Sequence, residues 1–116
     1  MKHLYGTFSD SQIQSYATTM HNEIHKLLLH KDNNITETIF NSEEDFRNYF
    51  INLMVRYAGL NELLGQPTKM VALMSTLQAA YCEVINEDYE YSVFRKLILD
   101  AHGYIKSMFE EVVEHA

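Results

Sequence analysis

The C-terminal quarter of the chain limits the possible folds most. Between Asp88 and Ala116, the residues Phe94, Ile98, Ala101, Ile105, Met108 and Val112 recur at spacings of four, three, four, three and four. At about 100° per residue they share one stripe of a helix of roughly 25 residues, nearly 40 Å long. Such a helix is not stable alone in water and needs apolar partners of similar length.

The rest of the chain supplies them. Ser9, with Gln12 three residues on, reads as a capping box, and Phe8 and Ile13 as its hydrophobic staple. The first helix then runs from about Asp10 to His30, with a stripe of Ile13, Ala17, Met20, Ile24 and Leu27 widened by Tyr16 and Leu28. Residues Ile35 to Phe40 are too few for a long helix and read as a connection packed on an edge. Ser42 reads as the next N-cap, followed by Glu43, Glu44 and Asp45, where the helix dipole favours acids. The second helix runs from about Glu43 to Leu64 on Phe46, Phe50, Leu53, Tyr57, Leu60 and Leu64. Gly59 inside it reads as a bend or a place of close approach. Gly65-Gln66-Pro67 stops it, with the proline opening the next helix. The third helix spans about Thr68 to Asn86 on Met70, Met74, Leu77, Tyr81 and Val84. Val71, Leu73, Ala80 and Ile85 widen its face, so it is expected to be the most buried of the four.

No strand signal of period two is present. Four helices of similar length with short connections predict an all-α fold, an antiparallel four-helix up-down bundle in a single domain over residues 1–116. Three long helices with a short element are the alternative if Gly59 or Gly65 breaks the second rod differently. No apolar run approaches the ~20 residues of a membrane span, and the N-terminus lacks an apolar signal core, so a cytoplasmic protein with no membrane contact is expected.

Net charge is -7 with histidine neutral, which argues against nucleic acid as a partner and suits a basic protein partner. In an up-down bundle one pole collects Asp32, Glu37, Glu43, Glu44, Asp45, Glu83, Glu87, Asp88 and Glu90 against Lys26 and Lys31. Helix-end chemistry explains the acids at the starts of the second and fourth helices, but not Glu83 or Glu37. With Tyr89 and Tyr91 among them, Glu43, Glu44, Asp45, Glu83, Glu87, Asp88 and Glu90 form a candidate partner-binding patch. Glu110, Glu111 and Glu114, at a helix C-terminus, read as a solvated tail or as a second contact for a basic partner. Ile51, Val55 and Ala58 make a second apolar face on the second helix. Either the Ile35–Phe40 segment covers it or a second copy of the chain does, giving a homodimer.

Chemistry-bearing patterns are few. Cys82 is the single cysteine, so there is neither an internal disulfide nor a cysteine metal cluster, and it reads as a small boundary residue. His21 and His25, four apart, could reach one metal ion, with His30 and Glu23 near in sequence. Boundary and surface histidines are the plainer reading. No glutamate has a histidine three residues later, which excludes the ferritin-like di-iron pattern. No cofactor motif is present.

Arg95 and His102, with six residues between them, resemble the arginine–histidine pattern of HEPN ribonucleases, which are helical bundles. The resemblance implies RNA cleavage by that pair at a dimer interface; Lys96 stands where that family often has a polar residue. Ala101 to Ser107 resembles the phosphoacceptor helix of histidine-phosphotransfer domains. Ile105 and Lys106, however, occupy the positions of that family's lysine and glycine. The reading that best unites these features is a small acidic interaction protein without catalysis, of the inhibitor, immunity or regulatory kind. The alternatives are a HEPN-like ribonuclease using Arg95 and His102, and a metal-binding bundle using His21 and His25.

Overall fold

Each apolar stripe becomes a helix, and the four helices hide their stripes from water together. The computed structural model describes the backbone of residues 2–3, 6–7 and 10–115 and the side chains of residues 11, 12 and 14–108. Its helices are α1 (Asp10–Lys31), α2 (Glu43–Leu63), α3 (Thr68–Ile85) and α4 (Tyr91–His115). The ends fall within three residues of those read from the sequence. Consecutive helices run antiparallel, as cross-helix contacts require. His30 at the end of α1 meets Glu43 at the start of α2, Phe50 meets Tyr81, and Lys69 lies over Tyr104. The body measures 42 × 24 × 22 Å, the long axis set by the helices.

The core is one cluster drawn from all four helices: Met20, Ile24 and Leu27, then Phe46, Phe50 and Leu53, then Met70, Leu73 and Leu77, then Phe94, Ile98 and Ala101. Each such large side chain contributes about 1.5–3 kcal/mol by leaving water. α4 packs closest to α3 and then to α1, while α2 stands further off. The residues explain the difference. Ala80 and Ala101 are fully buried and small, whereas α2 faces the core with Phe46, Phe50 and Tyr57.

Several expectations need adjusting. A two-residue ladder pairs Lys2 with Thr7 and His3 with Gly6, where no strand was expected. The seam of α3 is rotated. Leu73 and Ala80 are buried at its centre, Met74, Tyr81 and Val84 are half-buried, and Val71 and Ile85 are 46% and 56% exposed. The apolar face of α3 is therefore narrower than read from the sequence, with Val71 and Ile85 outside it. On α2 the stripe drifts from Leu60 to Asn61, which is buried, because a spacing of 3.6 residues per turn cannot follow a strict repeat for five turns. Gly59 permits no close approach: a Cβ there would meet nothing within 4 Å.

Caps follow local chemistry. The Ser42 hydroxyl accepts from the Asp45 N–H at 3.0 Å. Pro67 is the N-cap of α3 rather than its first residue, and its side chain caps nothing. Gly65 and Gln66, at φ +79° and +58°, turn the chain out of α2, and the Gln66 N–H reaches the Asn61 carbonyl at 2.9 Å. Ser9, Phe8 and the Ile13 and Val112 side chains, like the side chains of Glu110, Glu111 and Glu114, lie outside the described residues. Among the described residues, no helix is long and apolar enough to cross a membrane.

Candidate functional site

Three places hold the residues singled out by the sequence: the pole, the outer face of α2, and the seam between α1 and α4.

At the pole, much of the charge has an internal role. Glu43 receives His30 Nε2 on one carboxylate oxygen and Lys31 Nζ on the other, both at 2.8 Å. The Lys31 contact holds the Glu43 carboxyl below its usual range, with His30 assisting against the opposing effect of burial. Glu83 reaches across from α3 and accepts the Glu90 N–H at 2.9 Å. It thereby does for α4 what the glutamate of a capping box does within one helix. That explains one of the two acids, Glu83 and Glu37, which helix-end chemistry had left over.

Tyr89 packs its ring on Phe94 with Lys31 Nζ 5.5 Å from the ring centre, and its hydroxyl is buried without a partner among the described residues. Burial, then the charges of Tyr91, Glu83 and Glu43, push that phenol up to about 12. Tyr91, raised first by burial, pairs with Asp32. The side chains of Glu44, Asp45, Glu87, Asp88 and Glu90 are exposed. The pole thus divides into residues tied within the fold (Glu43, Glu83, Tyr89, Tyr91) and an untied acidic rim. Glu37 is exposed in the connection.

Among the described residues, nothing covers the outer face of α2. Ile51 is 41% and Val55 66% exposed. Both, with Ala58, line a groove of about 340 Å³ between α2 and α3, completed by Met54, Tyr57, Met74, Leu77 and Gln78. None of the eight carries a charge. The Ile35–Phe40 connection packs elsewhere. Phe40 sets its ring against His30, Phe46 and Tyr49 at the α1–α2 edge.

The α1–α4 seam brings together two sets of residues that the sequence had kept apart. His102 lies against His21 and His25, not against Arg95. Ring centres are 4.1 Å apart for His21–His102, 5.7 Å for His25–His102 and 5.8 Å for His21–His25. Arg95, two turns earlier on α4, is exposed. Among the described residues, Nδ1 of His25 and both ring nitrogens of His102 are buried without a hydrogen-bond partner. Each such group costs about 1–3 kcal/mol. Burial, then the charges of His21 and His25, lower the His102 pKa to about 4, so this ring is neutral at pH 7. Among the described residues, no group of three or more His, Cys, Asp or Glu side chains is placed to hold a metal ion.

Sequence reading missed one polar centre altogether. Glu23 on α1 pairs with Arg56 at 2.6 Å and accepts from the Tyr57 hydroxyl at 3.2 Å, while Tyr49 donates to the Glu23 carbonyl at 3.0 Å. Burial, with Glu23 adding to it, raises the Tyr57 pKa well above its ordinary value. This network ties α2 to α1 and faces away from the histidines, so Glu23 is not a companion of His21 and His25. The available sequence signal was Arg56 beside a stripe tyrosine, with no cation–acid pairing inside α2 to occupy it. Cys82 is exposed, outside the boundary position read for it.

These features define an all-α bundle with an acidic rim, an uncharged apolar groove and a histidine seam. No family model matches the chain, and no curated protein and no solved structure is significantly similar to it.

Proposed function

We propose that this chain is a non-catalytic interaction protein of the inhibitor, immunity or regulatory kind. It pairs with a second copy through the α2–α3 groove and offers its exposed acidic rim to a basic protein partner. The observation that carries this reading is the uncovered face of Ile51, Val55 and Ala58. The segment that could have shielded it, Ile35 to Phe40, is occupied at the other edge of α2.

The occupant follows from charge. Two copies at -7 each repel one another over most of their surfaces. They can approach closely where charge is absent, and none of the groove residues carries any. Val55, the most exposed apolar residue of the groove, then becomes a ridge that enters the partner's groove, as a two-fold interface requires. A ribonuclease built on Arg95 and His102 has less support, because His102 faces the imidazoles of α1 while Arg95 is exposed.

Mass in solution tests the pairing. The wild-type chain is expected near 27 kDa, twice its 13.6 kDa, and Val55→Glu near the single-chain mass with its helix content unchanged. A wild type that stays monomeric at ~100 μM, where even a weak dimer of that dissociation constant is well populated, would overturn it.

A further inference from the structure

We propose that His21, His25 and His102 form a three-histidine site for a divalent transition metal between α1 and α4. Its fourth coordination position opens toward the groove beside Thr18 and Lys106. The inference is independent of the pairing through α2 and α3.

Placement comes first. His21 and His25 stand one turn apart on the same side of α1, a spacing that lets two imidazoles reach one ion. α4 runs antiparallel against that side and supplies the third ring at His102. Imidazole nitrogen suits zinc, copper, nickel and iron, and three such ligands with an open fourth position are a common zinc arrangement.

Distance comes second. With zinc–nitrogen bonds of about 2.0–2.1 Å and tetrahedral angles, the centres of two ligating rings lie ~5.2 Å apart. Two of the three pairs here, at 5.7 and 5.8 Å, are already close to that separation. The third, the stacked His21–His102 pair at 4.1 Å, has to open by about 1 Å, and the His21 ring, within 17° of parallel with His25 and 26° with His102, has to turn so that its in-plane lone pair meets theirs. His21 is exposed and is the ring able to make that movement.

Hydrogen bonding comes third. His21 Nδ1 lies 3.5 Å from Asn22 Oδ1. A proton held there leaves Nε2 with a free lone pair, the usual outer-sphere device for a ligating histidine. His25 and His102 bring the buried unpartnered nitrogens, and a metal ion would give each ring a partner. The fourth position meets a shallow groove of about 300 Å³ lined by Ala17, Thr18, His21, His102, Ile105 and Lys106. It has room for water, and the ammonium of Lys106 favours an anionic fourth ligand such as hydroxide.

The test uses the full chain, stripped with a chelator and titrated with zinc alone at pH 7.5 by calorimetry, with melting temperature followed in parallel. One zinc per chain is expected, with a dissociation constant of ~10 μM or tighter and a rise in melting temperature as linkage requires. His21→Gln removes an exposed ligand without disturbing the core and should weaken binding at least about tenfold. His25→Gln and His102→Leu should do the same, each checked for helix content. His30→Gln, whose partner is Glu43, should leave binding unchanged and so guards against scattered binding by other histidines. The site is refuted if zinc neither binds stoichiometrically nor raises the melting temperature. It is equally refuted if His21→Gln binds as tightly as the wild type.

Discussion

Two regions of α1 carry histidines, and they treat them oppositely. At its C-terminal end, His30 and Lys31 share one carboxylate, Glu43, so both side chains have a partner within the chain. About one and a half to two and a half turns earlier, His21 and His25 meet His102 from α4, and three ring nitrogens are buried with no partner among the described residues. Sequence pattern ranked these regions the other way, because acids clustered beside tyrosines suggest recognition while scattered histidines suggest nothing. The structure teaches that charge density is a poor guide where neighbouring elements can neutralise it. A polar group whose partner is missing from the fold is the better pointer to a ligand.

The largest expected effect tests the seam by pH. An unfolded histidine titrates near 6.5, whereas His102 in the fold is held to about 4. As pH falls between these values the unfolded chain takes up the proton first. The stability contribution is therefore whole above pH 6.5, is lost progressively toward pH 4, and changes no further below. Because the ring is only half-buried, solvent screens much of the effect, and about 1–2 kcal/mol is expected. Glu43, lowered by Lys31, adds its own loss only below the ordinary carboxylate range near 4.5. Denaturant unfolding at pH 7.5 and 4.5 should show the loss in metal-free wild type and not in His102→Leu. Equal losses in both would mean that His102 is as solvated as a surface histidine and that the contrast with His30 is false.

The second effect, at the pole, is smaller. Glu83→Ala removes the acceptor for the Glu90 N–H and should cost about 1 kcal/mol, the usual value of a helix cap. Glu87→Ala, four residues further on and exposed, should change stability by less than about 0.5 kcal/mol. Urea midpoints for the two variants decide the matter. If they coincide, Glu83 is not a cap, and the pole returns to being a patch of unassigned charge.

How far the sequence reached depends on the range of the interactions. Helix positions, the Ser42 cap and the buried stripes of α1 and α4 were legible because each rests on contacts within one helix or on burial of one face. The rotation of α3 toward Leu73 and Ala80 was not. It depends on how closely α4 approaches, which Ala101 sets from another helix. The uncovered groove was half legible: Ile51, Val55 and Ala58 stood out, but only the fold shows that Phe40 packs elsewhere. The histidine seam and the Glu23–Arg56–Tyr57 network lay beyond local pattern, since each joins residues more than thirty positions apart. His102 had been grouped with Arg95 because they share a helix face, while its true neighbours lie on α1.

The smallest effect separates packing from recognition at Tyr89. Its hydroxyl is buried and unpartnered, and its ring packs on Phe94 beneath Lys31. If the residue serves the core, Tyr89→Phe deletes an unsatisfied oxygen and keeps the ring, so stability should stay within about 0.5 kcal/mol or rise slightly. Tyr57→Phe provides the contrast, since it deletes a hydroxyl bonded to Glu23 and should cost about 1 kcal/mol or more. Urea unfolding of the two variants side by side reads the difference. A loss at Tyr89 as large as that at Tyr57 would show that its oxygen has a partner after all, such as an ordered water. The division of the pole into residues tied within the fold and an acidic rim would then have to be redrawn with Tyr89 on the rim.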